Sequence, residues 1–299
     1  MGFLIEWIAI YLASGSVRLS LFNEVNWGSL KMTKIGLYGA AGHMGTMLIK
    51  AITDSNVCTL GGGCERSGSP KIGEDLGTLA GLPSLGLEVT DDPGALCREA
   101  DVIVDYSAAS GTMSLLPVAI DQQTPVLVGT TGFDEAQHAD LVEAGKSLPV
   151  ILAANMSVSV IAMYELVRTA ARLLGDEFDI EIFDFHPWDK LDSPSGTALE
   201  LGEYAAEGRG VALSDIMVTA RHGDTPQRKR GSIGFSSARG GDVVCENSVF
   251  FAGSGQRLEI ISRVTDYKAF AAATLDAAVW IASQTPGFYS MDDMLQSKG

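Results

Sequence analysis

The chain has 299 residues, 46% of them hydrophobic, with 34 glycines and no low-complexity tract, so pervasive disorder is excluded and one large or two modest globular domains are expected. A formal net charge of −16 repels phosphate backbones and anionic lipid surfaces at long range, which excludes nucleic acid and membrane as principal partners. Cys58, Cys64, Cys97 and Cys245 show no CxxC pair and no histidine at zinc-ligand spacing, so neither a disulfide framework nor a metal site is expected, and the thiols suit a reducing, cytoplasmic setting.

Residues 1–31 include an apolar run, Phe3 to Ala13, interrupted by Glu6 and lacking the positive flank of a secretory signal. Met32 stands immediately before the first strand-like run, so this segment is expected to be a disordered extension or to lie upstream of the true start.

Lys34 to Tyr38 is a short apolar run that ends in Gly39-Ala40-Ala41-Gly42-His43-Met44-Gly45 and is followed by a helical pattern. Strand, glycine turn and helix in that order form a dinucleotide-binding fingerprint: without Cβ atoms, Gly39, Gly42 and Gly45 let backbone approach a pyrophosphate and helix pack on strand. The fingerprint expects an acidic residue about 20 positions on. Glu65 stands there, able to accept from a ribose hydroxyl, with Arg66 beside it to pair with a 2′-phosphate, so NADH and NADPH both remain open.

Val102 to Tyr106, Pro125 to Gly129 and Pro149 to Ala153 are further strand-like runs, separated by stretches such as Ala136 to Leu148 that suit helices. The alternation predicts an α/β domain with a parallel Rossmann-type sheet over residues 32–155. Gly129-Thr130-Thr131-Gly132 falls at the carboxyl edge of that sheet, where ligands of open α/β folds collect, although a simple turn would look the same.

Val158 to Leu174 reads as one long helix. Strand-like segments follow at Ile180–Phe185, Ser232–Ser237, Ser248–Ala252 and Arg257–Val264, read without intervening helices, so residues 156–265 are expected to form an α+β domain with a mixed or antiparallel sheet. The basic run Arg228-Lys229-Arg230 reads as a solvated loop. Phe270 to Ser283 is helical again, and the chain is expected to end in a polar tail, with residues 266–299 completing the first domain.

Between the first of those strands and a helix at Ala198 to Ala206 lies the most informative stretch. It runs from Phe183 to Ala198 and holds His186 and Lys190, followed by Ser195-Gly196-Thr197 at the helix start. Free N–H groups, hydroxyls and the helix dipole there favour a carboxylate. Hydride reduction places negative charge on a substrate, and a neighbouring acid must quench it; histidine suits that near neutrality, and Lys190 can donate a proton or anchor a carboxylate. A plain helix cap and a packing histidine are the alternatives.

Six ordered motifs between Lys34 and Leu295 carry a resemblance: GAAGHMG at Gly39–Gly45, VDYS at Val104–Ser107, VGTTGF at Val128–Phe133, AANMSV at Ala153–Val158, DSPSGTA at Asp192–Ala198 and GFSSARGGDVV at Gly234–Val244. Together they resemble the dihydrodipicolinate reductases of bacterial lysine and diaminopimelate synthesis. The resemblance implies that Gly39, Ala40, Ala41, Gly42, His43, Met44, Glu65, Arg66, Gly129, Thr130, Thr131, Ala153, Ala154, Asn155 and Met156 contact NADH or NADPH. It implies His186 and Lys190 as acid/base groups, Gly196 and Thr197 as carboxylate ligands, a small dicarboxylate substrate, and a homotetramer built through the second sheet. The implied reaction converts 4-hydroxy-tetrahydrodipicolinate to tetrahydrodipicolinate with loss of water.

The chain departs from the pattern where the family usually has a second consecutive histidine, here Pro187 followed by Trp188-Asp189. Asn247 replaces a frequent histidine, and His43 a frequent arginine that favours a 2′-phosphate. A related reductase of another imine or enoyl acid, and a non-catalytic dinucleotide sensor, are the competing readings; a sensor has no need of His186 and Lys190.

Overall fold

The computed structural model describes residues 32–153, 155–219, 221–224 and 226–297, so the expectations for residues 1–31 and for Ala154 lie outside the described residues. Seven strands form one parallel sheet: β1 (Thr33–Tyr38), β2 (Cys58–Cys64), β3 (Val89–Thr90), β4 (Val102–Asp105), β5 (Val126–Val128), β6 (Pro149–Leu152) and, from the end of the chain, β12 (Gly287–Tyr289). Their spatial order is β3-β2-β1-β4-β5-β6-β12. The central strands are apolar on both sides because helices cover both faces: Val102, Ile103, Val104, Val126, Leu127 and Val128 are all buried. Those helices include α1 (His43–Thr53), α2 (Pro93–Glu99), α3 (Ala109–Gln122) and α4 (Glu135–Ala144). Asp134 opens α4 with a reciprocal capping box to Gln137.

Helix α5 (Val158–Leu174) leads into the second sheet. Its buried residues, Val160, Ile161, Met163, Tyr164, Val167, Ala170 and Ala171, recur at helical spacing and form one apolar stripe. The stripe packs with α6 (Gly196–Arg209) beneath a five-stranded mixed sheet of order β11-β10-β7-β9-β8. Its strands are β7 (Asp179–His186), β8 (Met217–Val218), β9 (Ile233–Arg239), β10 (Cys245–Gly253) and β11 (Gln256–Val264). The sheet is mixed because α6 intervenes between β7 and β9, and a strand-helix-strand connection makes those two parallel. The reading without intervening helices is thereby corrected.

Strand β7 alternates strictly. Ile180, Ile182, Asp184 and His186 are buried on the helix side, while Asp179, Glu181, Phe183 and Phe185 are half-buried on the other. The face that begins as hydrophobic core therefore ends as chemistry.

Helix α7 (Lys268–Ile281) returns the chain to the first sheet, packing against α1 and β4. Where a polar tail is expected, the chain forms a strand and a helix with buried methionines. Gly287–Tyr289 pairs with Pro149–Ile151 in β6, and α8 (Met291–Gln296) buries Met291 and Met294 behind a Ser290–Asp293 capping box. Three strand residues and one turn and a half of helix are too short to carry a readable period. Among the described residues, no helix is long and apolar enough to cross a membrane.

Arg228 also departs from expectation. Its guanidinium donates to Glu181 (2.9 Å), Asp179 (2.6 Å) and the carbonyls of Ile180 (2.9 Å) and Ser232 (2.6 Å), clamping the loop before β9 to the start of β7; Lys229 and Arg230 stay exposed. Five donors in a planar fork make such a clamp possible, and a run of basic letters cannot reveal it. Arg228→Ala should lower unfolding free energy by about 1–3 kcal/mol, because two carbonyls lose their donors. Urea denaturation would check this.

Candidate functional site

From β1 the chain winds to β2 and β3 on one side, then crosses to β4, β5 and β6 on the other, so the carboxyl ends of β1 and β4 diverge around a crevice. Gly39 lies at the tip of β1 with φ +84°, and a Cβ there would sit 2.6 Å from the Tyr106 carbonyl oxygen. At Gly45 a Cβ would fall 2.4 Å from the Ala40 carbonyl oxygen. Glycine is required at both positions by contact with backbone, which cannot move aside. The crevice is a cavity of about 320 Å³ bounded by Tyr38, Gly39, Gly42, Glu65, Arg66, Tyr106 and the Ser107–Gly111 segment at the start of α3. Glu65 spends one oxygen on the Ala41 N–H (2.9 Å), holding the turn, and its other oxygen takes no part in that bond.

Asp105, the last residue of β4, is fully buried and accepts from the Ser107 N–H (2.9 Å), the Ser107 hydroxyl (2.6 Å) and the hydroxyls of Thr112 (2.5 Å) and Thr130 (3.2 Å). Burial pushes its carboxyl up from the ordinary range, against these hydrogen bonds. The knot fixes the loop after β5 against the start of α3. Gly129 is needed in that loop because a Cβ would meet the Tyr106 ring at 2.4 Å.

A second cavity, of about 420 Å³, lies where the two sheets meet. Met44, Tyr106, Ala153, Asn155 and Met156 bound it on one side, and His186, Pro187, Lys190, Thr197 and Cys245 on the other. Tyr106 borders both cavities. Thr197 is oriented across the junction: Asn155 Nδ2 donates to its hydroxyl oxygen (3.1 Å), and Asn155 Oδ1 in turn accepts from the Ser157 N–H (2.8 Å) ahead of α5. A hydroxyl that accepts from Asn155 still carries a proton of its own to donate.

His186 is buried at the end of β7, with Nε2 3.5 Å from Asp184 Oδ2 and in no hydrogen bond with the described residues. Asp184 itself accepts from the Ser237 hydroxyl and from Arg239 Nη1 (2.9 Å). Burial pushes the imidazole pKa below its ordinary value, the Lys190 charge adds to this, and Asp184 opposes it. Lys190 Nζ pairs with Asp192 Oδ1 at 2.7 Å, and Asp192 Oδ2 accepts from the Gly196 N–H (3.3 Å), the first of α6.

The remaining sequence-derived residues are divided. Ala40 has no exposure and packs toward Gly63, so its side chain reaches neither cavity. His43 is exposed and sits edge-on to Tyr267, with ring centroids 5.1 Å apart. Thr130 and Thr131 open onto a third cavity, of about 430 Å³, bounded by Tyr164, Glu200 and Tyr204. Ser195 spends its hydroxyl as the α6 cap, accepting from the Ala198 N–H (3.2 Å). Asn247 is fully buried and donates to Cys245 Sγ (3.2 Å).

Sequence reasoning missed Tyr106, Asp184, Arg239, Cys245 and Tyr267 around these cavities. For Asp184 a signal existed, since it occupies a buried register of an alternating strand.

Protonation of His186 gives a test. An unfolded histidine binds a proton as pH falls below about 6.5, whereas the native ring, its pKa depressed, does not, so the unfolded state binds more protons and stability falls with pH. His186→Gln should flatten the stability profile between pH 7 and pH 5, with Asp184, Lys190 and Arg239 left in place around the position. Denaturant midpoints across that range check it; an unchanged slope would contradict the assignment.

Comparison with known proteins fits this geometry. Residues 33–156 match the family model described as dihydrodipicolinate reductase, N-terminus, and residues 159–295 match dihydrodipicolinate reductase, C-terminus. The chain is 42% identical over 268 residues to a 4-hydroxy-tetrahydrodipicolinate reductase of Anaeromyxobacter dehalogenans (strain 2CP-C), covering 90% of this chain and 99% of that one. A protein of the same name from Ralstonia pickettii is 42% identical, covering 88% and 99%. Among solved structures, a dipicolinate-bound dihydrodipicolinate reductase from Paenisporosarcina sp. TG-14 shares the fold, with a TM-score of 0.66 at 21% identity over 87% of this chain and 97% of that one. An NAD+-bound oxidoreductase from Agrobacterium radiobacter shares it at a TM-score of 0.56 and 14% identity, covering 89% of each chain. The chain belongs to the dihydrodipicolinate reductase family, the NADH- or NADPH-dependent reductases of lysine and diaminopimelate biosynthesis.

Proposed function

We propose that this chain carries out the family's reduction in the cavity between the two sheets, with residues 32–155 and 266–299 serving the coenzyme and residues 156–265 the substrate. The observation that carries the assignment is convergence: His186, Lys190 and Thr197 from one domain border the same cavity as Met44, Tyr106 and Asn155 from the other.

The glycine cradle fits a dinucleotide, because backbone is exposed at Gly39 and Gly42 where any side chain at Gly39 or Gly45 would collide with neighbouring carbonyls. Gly39 to Met44, Glu65 and Arg66 would hold the adenosine and pyrophosphate part, with Gly129, Thr130, Thr131, Ala153, Asn155 and Met156 toward the nicotinamide. NADH or NADPH supplies a hydride when bound. The substrate is a small dicarboxylate, in keeping with the dipicolinate named in the Paenisporosarcina structure. The Gly196 N–H, the Thr197 hydroxyl and the Lys190 ammonium would bind one of its carboxylates. Lys190 would give a proton to the departing hydroxyl; His186, whose pKa burial lowers, would take the proton lost from the neighbouring carbon and return it when the ring is reduced, so that one hydride and one proton enter and water leaves. Pro187 borders the cavity without an N–H, so the carboxylate would rest on Lys190, Gly196 and Thr197 alone.

A coupled assay with the upstream synthase and both coenzymes tests the assignment. Lys190→Ala should cut turnover by about 10²–10⁴-fold while coenzyme affinity persists. Absence of turnover by the unaltered chain, with coenzyme bound, would sink the reading.

Assembly belongs to the same proposal. On the face of the second sheet away from α5 and α6, Phe183, Phe185, Phe250 and Ile261 sit among Glu181, Glu246 and Arg263. An apolar centre with a charged surround suits another copy of this chain, giving a homotetramer through that sheet. In the reducing cytoplasm the four buried thiols would stay free. Light scattering should report a tetramer, and Phe250→Glu combined with Ile261→Glu should yield smaller species with unchanged helical circular dichroism.

A further inference from the structure

The carboxylate cradle of α6 is already engaged by a carboxylate of the chain itself. Asp192 Oδ1 lies 2.7 Å from Lys190 Nζ, and Oδ2 accepts from the Gly196 N–H at 3.3 Å. These are two of the three groups assigned above to the substrate. Its carbonyl oxygen accepts from Arg239 Nη2, which ties the backbone at Asp192 to the Asp184 and His186 cluster, so only the side chain is at liberty to leave. That side chain is 52% exposed and can swing into solvent without disturbing the core.

We propose that Asp192 is a positioning residue that stands in for a substrate carboxylate, holding Lys190 and the first N–H of α6 until the substrate's own carboxylate replaces it. The inference rests on the carboxylate assignment above. An ammonium beside an open helix N-terminus gathers positive charge, and an internal carboxylate neutralises it between turnovers. Exchange of one carboxylate for another then keeps charge and hydrogen bonding constant, so substrate entry leaves no partner unpaired. The cost is competition: affinity is reduced by the fraction of time the cradle is open. Occupancy by Asp192 near nine-tenths would weaken an incoming carboxylate roughly tenfold.

The test uses the full chain with saturating coenzyme. Pyridine-2,6-dicarboxylate is titrated by calorimetry and substrate saturation is measured in the coupled assay, for the unaltered chain, Asp192→Asn and Asp192→Ala. Asparagine keeps an acceptor for the Gly196 N–H but loses the charge facing Lys190; alanine removes both. Both variants should bind the dicarboxylate roughly three- to tenfold more tightly and show a lowered KM, with kcat changed by less than about threefold. Unchanged or weaker dicarboxylate binding overturns the stand-in, as does a fall in kcat at constant KM, which would mark Asp192 as only an orienter of Lys190. Lys190→Ala and Thr197→Val keep the two readings apart. If neither weakens dicarboxylate binding, the carboxylate assignment itself has failed; if they weaken it while the Asp192 variants do not tighten it, only the stand-in has failed.

Discussion

A carboxylate buried at the tip of β4 holds the coenzyme crevice together. Asp105 cannot be solvated where it lies, so it must be fully hydrogen-bonded, and its partners come from three places: the turn after β4, the first turn of α3 and the loop after β5. Satisfying one acid therefore fixes the relative positions of Ser107, which borders the crevice, the buried Thr112 of α3, and Thr130 in the loop after β5. The neighbouring Tyr106 uses that rigidity twice: its carbonyl abuts Gly39, and its ring abuts Gly129 and anchors its hydroxyl on Thr274 of α7 (2.9 Å). Had any of these glycines carried a side chain, the strand ends could not approach as closely.

The second half of the site depends on a different constraint, the two-residue period of β7. Because Ile180 and Ile182 must face α5 and α6, Asp184 and His186 are carried to the same side by geometry alone. A buried acid and a buried imidazole would each be costly by themselves. For Asp184 that cost is offset by the Ser237 hydroxyl and Arg239 from β9, the strand that α6 makes parallel to β7. The connection that places Gly196 and Thr197 at a helix start also brings Arg239 beside Asp184. Asn155 then joins the two halves, since one amide group touches both Thr197 and the entry to α5.

Family membership was legible because its motifs lie where backbone or chemistry tolerates few alternatives: the glycine turn, the strand ends and the start of α6. The helix Val158–Leu174 was legible for another reason, an apolar stripe of clear period along its 17 residues. What escaped was set by partners distant in sequence. Arg228 reads as one of three basic letters until its carbonyl acceptors at Ile180 and Ser232 are brought to it. Gly287–Tyr289 reads as tail until β6 offers it an open edge. Asp192 reads as part of a motif until Lys190 and Gly196 are seen to share its two oxygens.

The sequence by itself determined the strand-turn-helix that creates a pyrophosphate-sized gap, the α+β character of the second domain, and the proximity in the chain of His186, Lys190 and Gly196. These follow from local rules: the lack of a Cβ, a period of two or of 3.6, and the free N–H groups at a helix start. Only the tertiary structure decided which of those groups meet. It sends Ala40 into the core, gives the Ser195 hydroxyl to the cap, turns Thr130 and Thr131 onto an adjoining cavity that shares Ala153 and Asn155, and sets Met44 and Asn155 around the same cavity as Lys190. Such choices depend on burial and on hydrogen bonds between segments far apart in the chain, and those are fixed only when the two sheets pack around α5 and α7.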